Sequence, residues 1–285
     1  MAQQLTQDRW RPLEAAHHAR IDAVTAGHLS RRGEARPHPV EDFLFTYYMH
    51  SPNQLRRWHP GAGIVLEGAT SRSDWKFYRY ADDGATLDVD AFLSTRAATV
   101  RYIRKLLSAT AGRPAQLGCF GLHEWAMVYQ QSPDQRRHTD WPLRLSQSGT
   151  DEVVESHPVR CSHFDAYRFF TGPARALNAF SPTRDSQVAM EQPGCLHATM
   201  DLYKWAYKLS PAIPSNLTAD CFDLAREVRV LDMRAAPYDL SSLGYEPVAI
   251  ETPEGKAIYV EAQHDFAARG QTLRRRLIDA CDGLL

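Results

Sequence analysis

Apolar residues recur along this chain mostly at helical spacing. Over 8–29, Trp10, Leu13, Ile21, Val24 and Leu29 stand among Ala, Arg and His, which predicts a helix ending near Arg31-Arg32-Gly33. The clearest stripe is Phe92, Ala97, Val100, Ile103, Leu106 and Leu107. With Asp88 or Asp90 near its start and Gly112-Arg113-Pro114 at its stop, it predicts a helix over 90–111. Further helical pieces are expected over 41–48, 52–58, 217–230 and 266–277, and behind the Gly, Pro and Ser turns of 118–209. Two stretches leave the helical period. The segment 64–80 alternates on either side of a Gly/Ser break like two paired strands, and 248–252 with 258–262 flank Pro253-Glu254-Gly255 like a second hairpin. The pattern predicts a mainly α chain with two small β-hairpins, an α+β fold. No repeat or low-complexity tract is visible, and the Pro and Gly breaks are evenly spread. One helical domain over 1–285 around a central pocket is therefore expected, with an N-terminal helical subregion at 1–115 and a motif-bearing region at 116–285.

Composition narrows the classes of function. At 285 residues, 44% hydrophobic and 24% charged, the chain can bury a sizeable core and has no stretch polar enough for long disorder. A formal net charge of −1 gives no global positive field of the kind that non-specific nucleic-acid binding uses. Only five of the 33 basic residues are lysine; the arginine bias suits an anionic ligand, although GC-rich coding produces the same bias. Five cysteines are an odd count with no regular framework, which points to a reducing compartment, the cytoplasm. Residues 1–20 carry both signs of charge and no apolar run, unlike a signal peptide, and no window approaches the roughly 18–20 apolar residues of a membrane span. A membrane partner is not expected.

Three segments share one layout: Cys119-Phe-Gly-Leu-His123-Glu124-Trp125, Cys161-Ser-His163-Phe-Asp165-Ala-Tyr167 and Cys195-Leu-His197-Ala-Thr-Met-Asp201-Leu-Tyr203. In each, a Cys precedes a His by two or four residues and a helical run follows. An imidazole at a helix start is held at a fixed point, where it can ligate a metal or move a proton near neutral pH. If the three converge, His123, His163 and His197 form a three-nitrogen set for iron, zinc or manganese, with Glu124, Asp165, Glu191 or Asp201 as fourth ligand or general base. Without a metal, the same carboxylates have apolar neighbours that would raise their pKa values into a useful range. Each could equally cap a helix or pair with Arg160, Arg168 or Lys204, which are themselves candidates for binding substrate. Trp125, Tyr167 and Tyr203 could wall a pocket for a flat ligand, although aromatic residues at this spacing are mostly core. The bland alternative is that a buried Cys is a small hydrophobe and a single helix-start His is satisfied by a carbonyl; the threefold recurrence favours function over that. A thiol nucleophile at Cys161 or Cys195 is disfavoured, because catalytic Cys and His usually come from distant segments. The tract 232–239 fits a solvated turn with a surface ion pair better than a lid or an anion clamp through Arg234. His38-Pro39 and His59-Pro60 are expected to set the ends of an aromatic helix.

The runs His38-Pro-Val-Glu-Asp-Phe-Leu-Phe-Thr-Tyr-Tyr48, Gly121-Leu-His-Glu-Trp-Ala-Met-Val-Tyr129, Cys161-Ser-His-Phe-Asp-Ala-Tyr-Arg-Phe-Phe170 and Glu191-Gln-Pro-Gly-Cys-Leu-His197 through Lys204-Trp205 resemble a group of actinobacterial and plant-type chains named 3-methyladenine DNA glycosylases. The resemblance spans most of the chain. It implies hydrolysis of a nucleobase N-glycosidic bond, with a flipped base stacked between aromatics, a carboxylate activating water, and DNA or a nucleobase-containing small molecule as partner. The chain departs from two glycosylase patterns. Pro60-Gly61-Ala62-Gly63 followed by Asp82 or Asp83 imitates the helix-hairpin-helix spacing, yet 64–80 has the pattern of strands, and there is no Cys-Pro-Trp segment of the zinc-containing alkyl-adenine type. The alternatives to a glycosylase are a metal-dependent enzyme acting on a small molecule and a Cys/His metal- or redox-sensing binding protein.

Overall fold

The computed structural model describes residues 3–72, 74–81, 84–136 and 140–285; Asp82 and Asp83 lie outside these. In chain order the elements are β1 (Gln3–Leu5), α1 (Gln7–Gly33), α2 (Phe43–Tyr47), α3 (Pro52–Arg56), β2 (Ile64–Glu67), β3 (Tyr78–Ala81), β4 (Gly84–Leu87), α4 (Val89–Ala111), α5 (Leu122–Ala126), α6 (Gln147–Glu155), α7 (Phe164–Tyr167), α8 (Gly172–Leu177), α9 (Gln187–Met190), α10 (Leu196–Leu209), α11 (Ser215–Arg234) and α12 (Pro253–Asp282). The fold is mainly α with one small sheet. No helix among the described residues is long and apolar enough to cross a membrane. The chain divides into two compact units, the first comprising 1–107, 201–226 and 273–285 and the second 108–200 and 227–272.

In the first unit, the sheet runs in the order β1-β2-β4-β3, with β1 parallel to β2 and the other pairs antiparallel. Strands do occupy both ends of 64–80, but they do not pair with each other, because β4 lies between them. Every residue of β4 is buried, so Gly84-Ala-Thr-Leu87 lacks the alternation that marks a half-exposed strand. The buried face of α1 also differs from its apolar spacing. Leu13 and Leu29 are exposed, while Trp10, His17, Ile21, Thr25 and His28 point inward. The two histidines are tolerated there because His17 Nε2 lies 3.0 Å from the Leu55 carbonyl and His28 Nδ1 3.0 Å from Asp42 Oδ1. His38 does act at the start of the aromatic segment, its Nδ1 accepting from the backbone N–H of Val40 and Glu41.

Buried polar groups of this unit give it a definite acid response. Burial lowers the His50 pKa to about 4, and burial with the neighbouring Arg72 and Arg57 charges lowers that of His59 to about 3. Both are neutral in the folded protein at pH 7, whereas in the unfolded chain they titrate near ~6.5. As pH falls below that value the unfolded chain takes up protons that the folded one refuses, so stability present above it is lost towards pH 4. Each group contributes a slope of up to ~1.4 kcal/mol per pH unit. Urea unfolding between pH 7 and 4.5 should show a shallower pH dependence in His59→Gln than in wild type, by about one proton's slope; parallel curves would rule out this role.

The second unit corrects the other hairpin. Residues 253–282 are one helix, and Thr252-Pro-Glu-Gly255 is its start. Thr252 Oγ1 accepts from the Gly255 N–H at 3.0 Å, Pro253 takes the first helical position, where no N–H is needed, and Glu254 lies in the first turn. A Cβ at Gly255 would sit 1.9 Å from the Ala249 carbonyl oxygen, so this close approach requires glycine. The same four residue types serve as a turn or as a helix cap. The helical period turns Tyr259, Gln263 and Phe266 inward, and Gln263 Nε2 donates to the Gly194 carbonyl at 2.6 Å.

Candidate metal centre

Three short segments of the second unit carry the recurring histidines. Left-handed backbone at Phe120 and Gly121 (φ 47° and 69°) turns the chain into α5 and sets His123 at its second position. His163 is the N-cap of α7, and His197 is the second residue of α10. The rings meet: His123 and His197 have centroids 4.4 Å apart at 83°, and His163 and His197 5.4 Å apart at 30°.

The carboxylate that joins His123 and His197 is Asp232. It lies in the last turn of α11, fully buried, and not in a solvated turn, because the helix continues past the apolar run that suggested its end. His123 Nε2 and Asp232 Oδ1 are 2.9 Å apart, the distance of a hydrogen bond without its direction: neither atom has an aligned hydrogen-bond partner among the described residues. One ligand atom from each of His123, His197 and Asp232 lies within 4.8 Å of the other two. Two ligands bound at ~2.1 Å and subtending roughly 90–110° lie ~3.0–3.4 Å apart, so the approach of His123 to Asp232 is close to that of two atoms meant to share an ion.

Arg229, one turn earlier on α11, fixes the carboxylate from behind. Its Nη1 donates to Asp232 Oδ2 at 3.0 Å and to Glu124 Oε1 at 3.4 Å, and all three residues are buried. Burial alone would push the Asp232 carboxyl up, but the His123, His197 and Arg229 charges outweigh it and hold that pKa below the usual carboxylate range. Burial likewise opposes a charged His123, yet Asp232 and Cys119 raise its pKa well above the ordinary value. Both shifts favour the charged forms, and a cation bound there would take the place of the imidazole proton.

A small pocket opens onto His123 and His197, with room for about one water or one ion. Cys119, Cys161, Cys195, Arg160 and Tyr259 are among its lining. All five cysteines are free. Burial, and then the neighbouring thiols, push the Cys161 and Cys195 pKa values up, so neither thiol is primed as a nucleophile.

The remaining residues singled out from the sequence lie outside that triad. Glu191 is buried 3.4 Å from His163 Nε2 and accepts from Gln187 Nε2 at 2.5 Å. Asp165 faces Arg168 and Arg184 at 3.8 and 3.9 Å, in the setting of a helix-start ion pair. Asp201 belongs to the first unit, where Tyr48 donates to it at 2.8 Å and Lys204 pairs with it at 3.0 Å. Tyr203, also in the first unit, packs edge-on against Tyr48 and Phe222. Trp125 is a core residue whose Nε1 donates to the Ala235 carbonyl at 2.9 Å, and half-buried Tyr167 packs on Phe170. Neither Trp125 nor Tyr167 lines the pocket. Asp232, Arg229 and Tyr259 are the site residues that sequence reasoning missed. The spacing of Arg229 and Asp232, three apart in a helix, is the one local signal for that pair, and nothing local marks Tyr259. No protein-family model matches this chain, and no curated protein or solved structure is detectably similar to it.

Proposed function

We propose that this chain is a metal-dependent enzyme acting on a small molecule, with one divalent ion held by His123, His197 and Asp232. The observation that carries this reading is the close but unaligned approach of two buried ligand atoms, His123 Nε2 and Asp232 Oδ1, beside a second imidazole. Two imidazoles and a carboxylate suit iron(II), zinc or manganese and leave coordination positions open. Such an ion polarises a bound oxygen and makes water a nucleophile near neutral pH. The chain's own groups supply the rest. Arg229 holds Asp232 and Glu124 in place, and the His163–Glu191 pair beside His197 is the group suited to accept and return a proton.

A pocket with room for about one water is not the aromatic slot that a flipped base needs, which favours this reading over a base-flipping site. The resemblance to glycosylase-named chains supplies the competing reading, hydrolysis of a nucleobase N-glycosidic bond, which release of free base from nucleosides or alkylated DNA would support instead. Wild-type protein purified without chelators should carry, or take up, about one equivalent of iron, zinc or manganese by plasma mass spectrometry. Turnover of small-molecule substrates should cease on chelation and return with the ion. A protein that neither retains nor takes up any of the three would overturn the proposal.

A further inference from the structure

Two groups in the pocket lack an aligned hydrogen-bond acceptor or a carboxylate partner among the described residues. The Tyr259 side chain is fully buried on α12 and lines the pocket; the Gly121 backbone faces its oxygen, but the hydroxyl makes no aligned hydrogen bond and its O–H has no acceptor among the described residues. Leaving a buried donor unmade is costly, and such a group in a pocket points to a ligand. Arg160 is exposed at the same pocket; its guanidinium lies 5.5 Å from the Phe180 ring centroid and has no carboxylate partner among the described residues. Nearby arginines do have such partners, Arg168 and Arg184 with Asp165 and Arg229 with Glu124 and Asp232.

Charge selects the ligand. The pocket lining contains Arg160 and no carboxylate. A divalent ion with Asp232 as its single anionic ligand keeps net positive charge, Glu124 offsets Arg229, Glu191 is turned to His163, and Arg160 adds one positive charge at the mouth. We infer that the substrate is a small molecule bearing a carboxylate, gripped by Arg160 at the pocket mouth, with the Tyr259 hydroxyl donating to the oxygen that enters beside the triad. Arginine presents a planar fork that matches a carboxylate in two hydrogen bonds. The narrow pocket admits one oxygen of a flat group more readily than a tetrahedral phosphate. This inference rests on the metal reading and names the substrate class for that same site.

The test uses full-length protein loaded with cobalt(II), whose visible spectrum reports ligands entering its coordination sphere, and titrates it with acetate and with inorganic phosphate. Acetate should shift the spectrum of wild type. Its dissociation constant should rise at least about tenfold in Arg160→Gln and in Tyr259→Phe, the usual effect of losing a hydrogen bond to a charged group. Both variants should bind cobalt with wild-type stoichiometry, and Tyr259→Phe should melt close to wild type, since it removes only a hydroxyl without an aligned hydrogen bond. Unchanged acetate affinity in both variants, or binding of phosphate in place of acetate, overturns the carboxylate subsite while leaving the metal centre standing. Failure of wild type to bind cobalt overturns the metal reading itself and this inference with it.

Discussion

Asp232→Asn protein, prepared in parallel with wild type, is expected to retain less than about a tenth of the metal that wild type binds, because losing a ligand should exceed the roughly 10–100-fold loss usual for an outer hydrogen-bond partner. The substitution keeps the shape of the side chain and an oxygen for Arg229, but removes the negative charge that faces His123 at 2.9 Å. A divalent ion would then meet two neutral imidazoles and an amide. The comparison with His163→Ala makes the experiment decisive. The sequence pattern alone favours His123, His163 and His197 as ligands, whereas the structure groups His123 and His197 with Asp232 and sets His163 against Glu191. Full metal in Asp232→Asn together with loss in His163→Ala would restore the all-histidine set and reject the triad.

The second large effect concerns Arg229. This guanidinium is 2% exposed and bridges two buried carboxylates. Replacing it by methionine fills the volume but removes the guanidinium that bridges Glu124 and Asp232, and breaking a buried ion pair from one side costs about 3–5 kcal/mol. Metal-free Arg229→Met protein should therefore unfold at markedly lower urea than metal-free wild type. Added metal should recover part of the difference, since an ion bound only by the folded state supplies the missing positive charge. Equal stability of the two metal-free proteins would show that Arg229 does not hold the site together.

Legibility in the sequence followed how local the cause of each feature is. The helix α4 was plain because its buried residues Phe92, Val100, Ile103, Leu106 and Leu107 form one stripe and Asp88 caps it, its Oδ1 accepting from the Ala91 N–H at 2.8 Å. The recurring Cys and His segments were visible because each is a local helix start. The strand β4 was hidden because burial on both faces erases alternation. Asp232 was hidden for a related reason: a charged residue after an apolar run passes for the solvated end of a helix until its partners are known. One of those partners, Arg229, is three residues away, but His123 is more than a hundred residues away, and no spacing rule reports that distance. Tyr259 was lost with the misread start of α12, since Thr-Pro-Glu-Gly satisfies the chemistry of a turn and of a cap equally well.

The way the two units share the chain has a consequence for modularity. The chain passes from one unit to the other after residues 107, 200, 226 and 272, so neither is a continuous stretch. The proposed ligands come from both sequence blocks of the second unit, His123 and His197 from the earlier and Asp232 from the later. No single cut yields a fragment holding all three together with only their own unit. A gene segment encoding either unit could not be moved as a cassette, and duplication or fusion would carry this centre only as part of the entire chain.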